Sequence, residues 1–310
     1  MRIIFFGTPD FALPSLKVLV NSGENVMAVV TQPDRVKGRG HVLSPPPVKE
    51  LAASFGIPVL QPSELTSAEF LDNLSALIPE IIVVVAYGKI LPTAILGLPP
   101  HGCINLHASI LPKYRGAAPI QWAIVRGEKT TGVTTMLMDD GLDTGDTILK
   151  ETIEILPEDT APTLSSKLST MGSRLLLETI DRIKAGSVRP VPQAGEPSYA
   201  PIIRKDDGKI DWNRSALDIF NLARGMLPWP GAFGFIQRER VTLIKTKVMG
   251  EAAGGVPGII ELLSTNELLV STGRGALSLI EVKPAGRQSM SGAAFARGRH
   301  LKEGMGFELQ

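Results

Sequence analysis

The chain has 310 residues, with 32 Lys plus Arg against 31 Asp plus Glu, a length that favours two domains over one. A composition 44 % apolar and 20 % charged excludes pervasive disorder, and a net charge of +1 excludes nucleic-acid binding by bulk charge while leaving a local basic patch open. A single Cys excludes a disulfide scaffold or a CxxC site, and no apolar run reaches the roughly 18–20 residues of a membrane span. The opening Met1-Arg2-Ile3-Ile4-Phe5-Phe6-Gly7 is too short in apolar residues for a signal peptide, so the chain is expected to be soluble and cytoplasmic.

In chain order, 3–6, 26–31, 58–60 and 81–87 read as strands, rich in β-branched residues and bounded by Gly, Pro or Asn. Between them, 11–21, 48–55 and 68–77 carry apolar residues at helical spacing. Ser67 stands at the N-cap position ahead of Glu69, an acid suited to the positive end of that helix. The run Ile81-Ile82-Val83-Val84-Val85-Ala86 is apolar without alternation, as a parallel sheet covered on both faces requires. A strand at 103–107 and a helix near 119–126 continue the alternation, which predicts a doubly wound, mostly parallel α/β sheet of Rossmann-like type.

The pattern then changes. Segments 132–138 and 146–155 flank an acidic turn and read as antiparallel, and a helix over about 161–185 puts Leu164, Leu168, Leu175, Leu176, Ile180 and Ile183 on its buried side. Residues 186–197 are rich in Pro and Gly, the composition of an interdomain linker. Beyond 206, a helix over 215–226 precedes short strands near 232–236, 241–249, 259–263, 268–272 and 277–282, which predicts a small OB-like β-barrel. The expected organisation is a catalytic domain at 1–188, a linker at 189–205 and the barrel at 206–310.

The first strand–helix turn, Gly7-Thr8-Pro9-Asp10-Phe11, lacks the GxGxxG of a dinucleotide site, and GxxxxGK[ST], GxSxG and HExxH are all absent. His41, His101 and His300 show no ligand spacing with a Cys or Asp, so no metal is expected. The most informative segment is Asn105-Leu106-His107. In a strand, Asn105 and His107 project from one face and Leu106 anchors the other. An amide donor beside an imidazole can bind the oxygen of a tetrahedral acyl intermediate and move its proton, each such donor being worth about 2.7–4 kcal/mol. The competing reading is a buried strand whose Asn and His are satisfied structurally.

The turn Asp139-Asp140-Gly141-Leu142-Asp143-Thr144-Gly145-Asp146 gathers negative charge that would favour and orient a protonated imidazole. A calcium loop starting at Asp140 would put Leu142 on an oxygen-ligand position, which excludes it; an acidic turn without function stays open. Cys103 shares the parity of Asn105 and His107 but reads as a small buried hydrophobe. The loop Asp34-Arg35-Val36-Lys37-Gly38-Arg39-Gly40-His41 is basic and follows the second strand, a place for phosphate contacts or a solvated surface. Its two Gly and the adjacent Pro45-Pro46-Pro47 suggest disorder without RNA. Lys283, Arg287, Arg297, Arg299 and Lys302 form a second basic stretch, open to the same two readings.

Phe6-Gly7-Thr8-Pro9-Asp10-Phe11, Ala86-Tyr87-Gly88-Lys89-Ile90-Leu91-Pro92, the segment from Asn105 to Gln121 with its Lys113-Tyr114-Arg115-Gly116, and the 139–146 turn together resemble the methionyl-tRNA formyltransferases, within the formyltetrahydrofolate-dependent formyltransferase family. Lys209-Ile210-Asp211-Trp212 and Pro228-Trp229-Pro230-Gly231-Ala232-Phe233 extend the resemblance into the second half. It implies formyl transfer from 10-formyltetrahydrofolate to the amino group of methionine on initiator tRNA. It places catalysis on Asn105, His107 and Asp143: the first two stabilise the oxyanion, while Asp143 holds His107 charged and helps relay the proton. It maps the folate pocket onto Tyr87, Gly88, Ser109, Ile110, Leu111, Pro112 and Asp139, and the methionyl pocket onto Phe11. Contacts to the tRNA acceptor stem map onto Arg35, Lys37 and Arg39, with further tRNA contacts from Arg204, Lys205, Arg297 and Arg299. No metal is implied, and a monomer is expected. The family commonly has Gly-Ser-Leu-Leu-Pro after the His, whereas this chain has Ala108-Ser109-Ile110-Leu111-Pro112; Ala adds a Cβ beside the strand and Ile stiffens χ1.

Overall fold

The computed structural model describes residues 1–37, 42–250, 255–263 and 267–309. The chain divides into two compact units, one formed by Met1–Pro119, Thr130–Glu154 and Ser165–Pro201, the other by Ile120–Lys129, Ile155–Leu164 and Ile202–Gln310.

The first unit is built on β1 (Arg2–Gly7), α1 (Leu13–Asn21), β2 (Asn25–Val30), the hairpin strands β3 (Arg35–Lys37) and β4 (Val42–Ser44), α2 (Pro47–Ser54), β5 (Val59–Leu60), α3 (Ala68–Ala76), β6 (Ile81–Val85), α4 (Thr93–Leu96) and β7 (Cys103–His107). After α5 (Pro119–Val125), which belongs to the second unit from Ile120 on, come β8 (Thr130–Leu137), β9 (Thr147–Glu154) and α6 (Ala161–Lys184), the helix belonging to the first unit from Ser165 on. Its seven-stranded sheet has the order β5-β2-β1-β6-β7-β8-β9. The first five of these strands run parallel, and β8 and β9 are antiparallel additions. The chain therefore winds outward from β1 to β2 and β5, then crosses to β6 and β7, leaving a switch point at the carboxyl ends of β1 and β6. Ligands of open α/β sheets bind at such a point.

The central strands are paired on both edges and covered on both faces, which is why β1 and β6 carry unbroken apolar runs. Ile3, Ile4, Phe5 and Phe6 are fully buried, as are Ile81, Ile82, Val83 and Val85. Each such side chain contributes about 1.5–3 kcal/mol, enough to offset the roughly 1–2 kcal/mol of backbone entropy lost per residue. On the other face of the sheet, Gly172 of α6 lies so close to Leu106 that a Cβ there would stand 2.8 Å from its Cδ2. Thr135 of β8 and Thr179 of α6 pair their buried hydroxyls at 2.8 Å. Ser67 does occupy the N-cap of α3, but its hydroxyl reaches Glu64 O at 3.4 Å and makes no cap bond.

The N-terminal ammonium lies 2.6 Å from Glu24 Oε2, and the Lys184 ammonium bonds Oε1 of the same carboxylate. Burial pushes the Glu24 carboxyl up, but hydrogen bonds from Lys184 and the N-terminal ammonium outweigh it and hold the group below its usual 4.5. A carboxylate with a depressed folded value stabilises the protein above its unfolded value and loses that contribution as pH falls through the folded one. Glu24→Gln is therefore expected to cost about 1–3 kcal/mol at pH 7. In thermal denaturation the gap from the parent protein should narrow once the pH drops below 4.5; a gap unchanged at pH 3 would contradict the pairing.

The second unit contains α7 (Ala216–Gly225), β10 (Ala232–Ile236), β11 (Glu239–Val248), β12 (Ile260–Leu263), β13 (Leu268–Ser271), β14 (Ala276–Pro284), β15 (Met290–Ser291) and α8 (Gly292–Gly298). Its antiparallel sheet has the order β10-β11-β14-β13-β12, with β15 added on β14. The C-terminal stretch joins the two outer strands: Phe307 N donates to Gly258 O and Glu308 N to Phe235 O, each at 2.8 Å. The sheet thus curls into the expected small barrel. Trp212, fully buried, packs on Phe307 at 4.7 Å inside it, with Val241, Leu243, Leu277 and Leu279 around them. Sequence patterning missed the α8 turn of Gly, Ala and Phe, which follows Ser291, a true N-cap accepting from Ala294 N.

Two expectations are revised. The basic loop after β2 contains a strand pair, with Arg35–Lys37 paired to Val42–Ser44; residues 38–41 lie outside the described residues. Residues 189–201 do not hang between domains but belong to the first unit. Val191 exchanges two backbone bonds with Thr147, and Arg115 receives one from Ala200 and donates one to Ser198. Prolines and glycines punctuate this strap just as they would a linker, and only the long-range backbone pairing tells the two apart.

Candidate active site

Parallel pairing with β6 and antiparallel pairing with β8 fix β7 in the sheet, with its carboxyl end beside the switch point. Its alternation sends Ile104 and Leu106 into one side of the core and presents Asn105 and His107 on the other. Both reach the same carboxylate. Asn105 Nδ2 lies 3.4 Å from Asp143 Oδ1, and His107 Nδ1 lies 3.6 Å from Asp143 Oδ2. The other ring nitrogen, Nε2, is 2.9 Å from the Tyr114 carbonyl. Nε2 thus faces a carbonyl, which can only accept, while Nδ1 faces the carboxylate. At 3.6 Å the Nδ1–carboxylate contact exceeds hydrogen-bond length, which leaves room for Nδ1 to serve a second acceptor.

Two turns hold this cluster in backbone conformations that side-chain-bearing residues seldom adopt. Tyr114 has φ +60° and Asp143 φ +53°, a region that persists where the surroundings hold it and that recurs at functional sites. Between them Gly116, at φ +120°, donates its N–H to Asp143 Oδ2 at 2.8 Å. A Cβ on Gly116 would come within 2.7 Å of the Ala200 carbonyl. The 139–146 turn is folded on itself: Asp139 accepts from Gly141 N and from Thr144 Oγ1. Among the described residues no group of three His, Cys, Asp or Glu is placed to hold a metal ion.

The loop after β7 is braced from β8 and β9. Thr134 Oγ1 donates to Ser109 O at 2.7 Å and accepts from Leu111 N, and Lys150 Nζ donates to Leu111 O at 2.7 Å. Desolvation holds the Lys150 ammonium below its ordinary value.

The residues expected to line a folate pocket divide accordingly. Gly88, at φ +85°, has open space where a Cβ would stand, and Ile110 and Pro112 are half-buried. Ser109 and Leu111 are buried, and the Ser109 hydroxyl is spent on Lys113 O, so these two shape the loop rather than present side chains. Tyr87 is revised: its ring is 2 % exposed and packs edge-on against Phe6 in the core, so only its backbone is at the switch point. There its carbonyl accepts from Thr8 Oγ1 and Gln32 Nε2. Phe11 is half-exposed, and its carbonyl accepts from Ser169. Cys103, 1 % exposed with Sγ near the Ile95 carbonyl, has its thiol pushed up to about 12 by burial, which excludes a nucleophile.

Of the expected tRNA contacts, Arg35 is exposed in the first unit, nothing is described of the Lys37 side chain, and Arg39 lies outside the described residues. In the second unit Arg204, Lys205 and Arg297 are exposed. Arg299 is revised, because its guanidinium is engaged by both oxygens of Glu239, with Nη2 2.7 Å from Oε1. A charge already paired in the fold has little to offer a phosphate. Sequence reading missed Tyr114, Gly116, Thr134, Lys150 and Gln193 as members of the site; only the Gly in Arg115-Gly116 hinted at a special backbone.

Family models described as formyl transferase and as formyl transferase C-terminal domain match residues 1–180 and 202–300. The methionyl-tRNA formyltransferase of Thermodesulfovibrio yellowstonii is 54 % identical over 98 % of this chain and 97 % of its own. That of Caldanaerobacter subterraneus is 50 % identical over 98 % and 99 %. Among solved structures, the sugar 3N-formyl transferase WlaRD aligns with TM-score 0.68 at 19 % identity, over 93 % of this chain and 99 % of its own. HypX from Aquifex aeolicus in complex with tetrahydrofolic acid aligns at 0.66 and 17 %, over 98 % of this chain and 48 % of that longer one. The methionyl-tRNA formyltransferase from Clostridium thermocellum aligns at 0.56 and 18 %, over 80 % and 93 %. These structures share the fold, the family models cover both halves, and the close relatives match end to end: the chain belongs to the formyl transferase family.

Proposed function

We propose that this protein transfers the formyl group of 10-formyltetrahydrofolate to the α-amino group of methionine on initiator tRNA. The observation that carries the reading is the meeting of an amide donor, Asn105, and an imidazole, His107, on one carboxylate, Asp143, at the carboxyl end of β7. Identity near 50 % to methionyl-tRNA formyltransferases along the whole chain supports the acceptor. Gly88 has open space where a Cβ would stand, and Ile90 and Leu142 are 74 % and 51 % exposed, apolar surface available to a flat donor molecule.

In this mechanism the amine attacks the formyl carbon to give a tetrahedral intermediate, and its collapse breaks the bond to the donor nitrogen. Asn105 Nδ2 and His107 Nδ1–H supply the hydrogen bonds to the oxygen that gains charge. Asp143 orients the ring and passes the proton released by the amine toward the leaving nitrogen through water. No covalent enzyme intermediate is required, in keeping with the inert Cys103. In the same proposal the phosphate contacts fall to Arg35 and Lys37 of β3, to Arg39, which lies outside the described residues, and to Arg204, Lys205 and Arg297. Arg299 is left out of this set.

The test follows labelled formyl into initiator Met-tRNA, elongator Met-tRNA and free methionine. Transfer selective for initiator Met-tRNA, weakened by Arg35→Ala and falling steeply with salt, is the expected result. Transfer to a small amine, or none to RNA, would sink the proposed acceptor.

A further inference from the structure

Gln193 lies in the Pro- and Gly-bearing strap, yet its side chain is fully engaged with the candidate site. Its Nε2 donates to the backbone carbonyls of Asp143 and Gly145, at 2.8 and 2.9 Å. Its Oε1 accepts from Arg115 Nη2 at 2.7 Å and from Nε at 3.2 Å. The strap is pinned on both sides of this residue, by Val191 on Thr147 and by Ser198 and Ala200 on Arg115, with the Ser198 hydroxyl accepting from Tyr114 N.

The geometry answers a specific need. Asp143 sits at φ +53°, a conformation a side-chain-bearing residue keeps where neighbours hold it. Gly116 fixes the carboxylate end of Asp143, and Gln193 fixes its backbone end. A primary amide suits the post because it donates two hydrogen bonds while accepting from a guanidinium. We propose that Gln193, braced by Arg115, is a positioning residue that sets Asp143 against His107 and Asn105. The proposal rests on the reading of Asp143 as the working carboxylate.

A near-isosteric change tests it. Gln193→Glu keeps the shape and the acceptor for Arg115 but turns a carboxylate oxygen toward two carbonyls. In the full-length enzyme it should lower kcat about 10- to 100-fold, since misplacing a reacting group by an ångström can cost that much. KM for folate and for Met-tRNA should stay within about twofold. Gln193→Ala, which introduces no repulsion, should show the same split to a smaller degree and serves if the Glu variant does not fold. The decisive measurement is the double variant. Residues acting through one another are non-additive, so with Asp143→Asn already present, Gln193→Ala should lower kcat less than about twofold further. Unchanged kcat in both single variants, or a full multiplicative loss in the double, would overturn the proposal. If Asp143→Asn alone leaves kcat intact, the reading of the carboxylate fails first, and that single variant reports it separately.

Discussion

Asp143→Asn should lower kcat for formyl transfer to initiator Met-tRNA by about two to four orders of magnitude, the range a general acid–base group supplies. The parent carboxylate accepts from two donors, Gly116 N and Asn105 Nδ2, and faces His107 Nδ1 at 3.6 Å. An amide of the same shape offers a single oxygen. If that oxygen stays on Gly116, its NH2 turns toward Asn105, and donor faces donor. If it turns to Asn105, the Gly116 N–H loses its partner. Either way the ring loses the carboxylate oxygen that faces its Nδ1. The oxyanion donor and the proton relay are then impaired together, while the buried apolar sheet that holds the unit together is untouched. Measured kcat within about threefold of the parent enzyme would remove Asp143 from the chemistry and return the 139–146 turn to its plainer reading as an acidic bend.

The parallel sheet was legible because doubly covered strands must be apolar throughout, and β1 and β6 have no other use for such runs. The pairing of Asn105 with His107 was legible for an equally local reason: strand alternation places residues two apart on one face. What met them was not. Nothing in Gly141-Leu142-Asp143-Thr144-Gly145 announces that Asp143 takes a left-handed backbone, because the conformation is held by Gly116 and Gln193, far away in sequence. The strap at 191–200 was misread for the same reason, since its backbone partners lie at 115 and 147. Tyr87 shows a limit of motif reasoning: the segment around it lies at the switch point, but a motif does not say whether a residue acts by its ring or by its carbonyl. Arg299 shows the limit of counting charge, because Glu239, sixty positions away, takes the guanidinium that a basic stretch seemed to leave for RNA.

Gly145→Ala should damage both stability and activity, and so separate the placement of Asp143 from its chemistry. Gly145 is buried, and its backbone is not left-handed, so the constraint on it is space alone. A Cβ there would stand 1.8 Å from the Leu137 carbonyl and 3.3 Å from Met136 Cε. The first obstacle is backbone of β8, which pairs with β7 and β9 and has little freedom to yield. The turn must therefore move away, carrying Asp143 with it and loosening the Gln193 bond to the Gly145 carbonyl. Overpacking of this kind costs about 1–3 kcal/mol, a drop of about 2–12 °C in midpoint for a unit of this size. The accompanying loss of kcat should approach that of Asp143→Asn, although no reacting group has been altered. Gly97→Ala is the control: its Cβ would meet only the Thr93 carbonyl at 3.5 Å, an ordinary contact, and the change should leave midpoint and kcat unaltered. A Gly145→Ala protein as stable and as active as the parent would mean that the turn does not pack against β8, and the support for Asp143 drawn from that contact would fall with it.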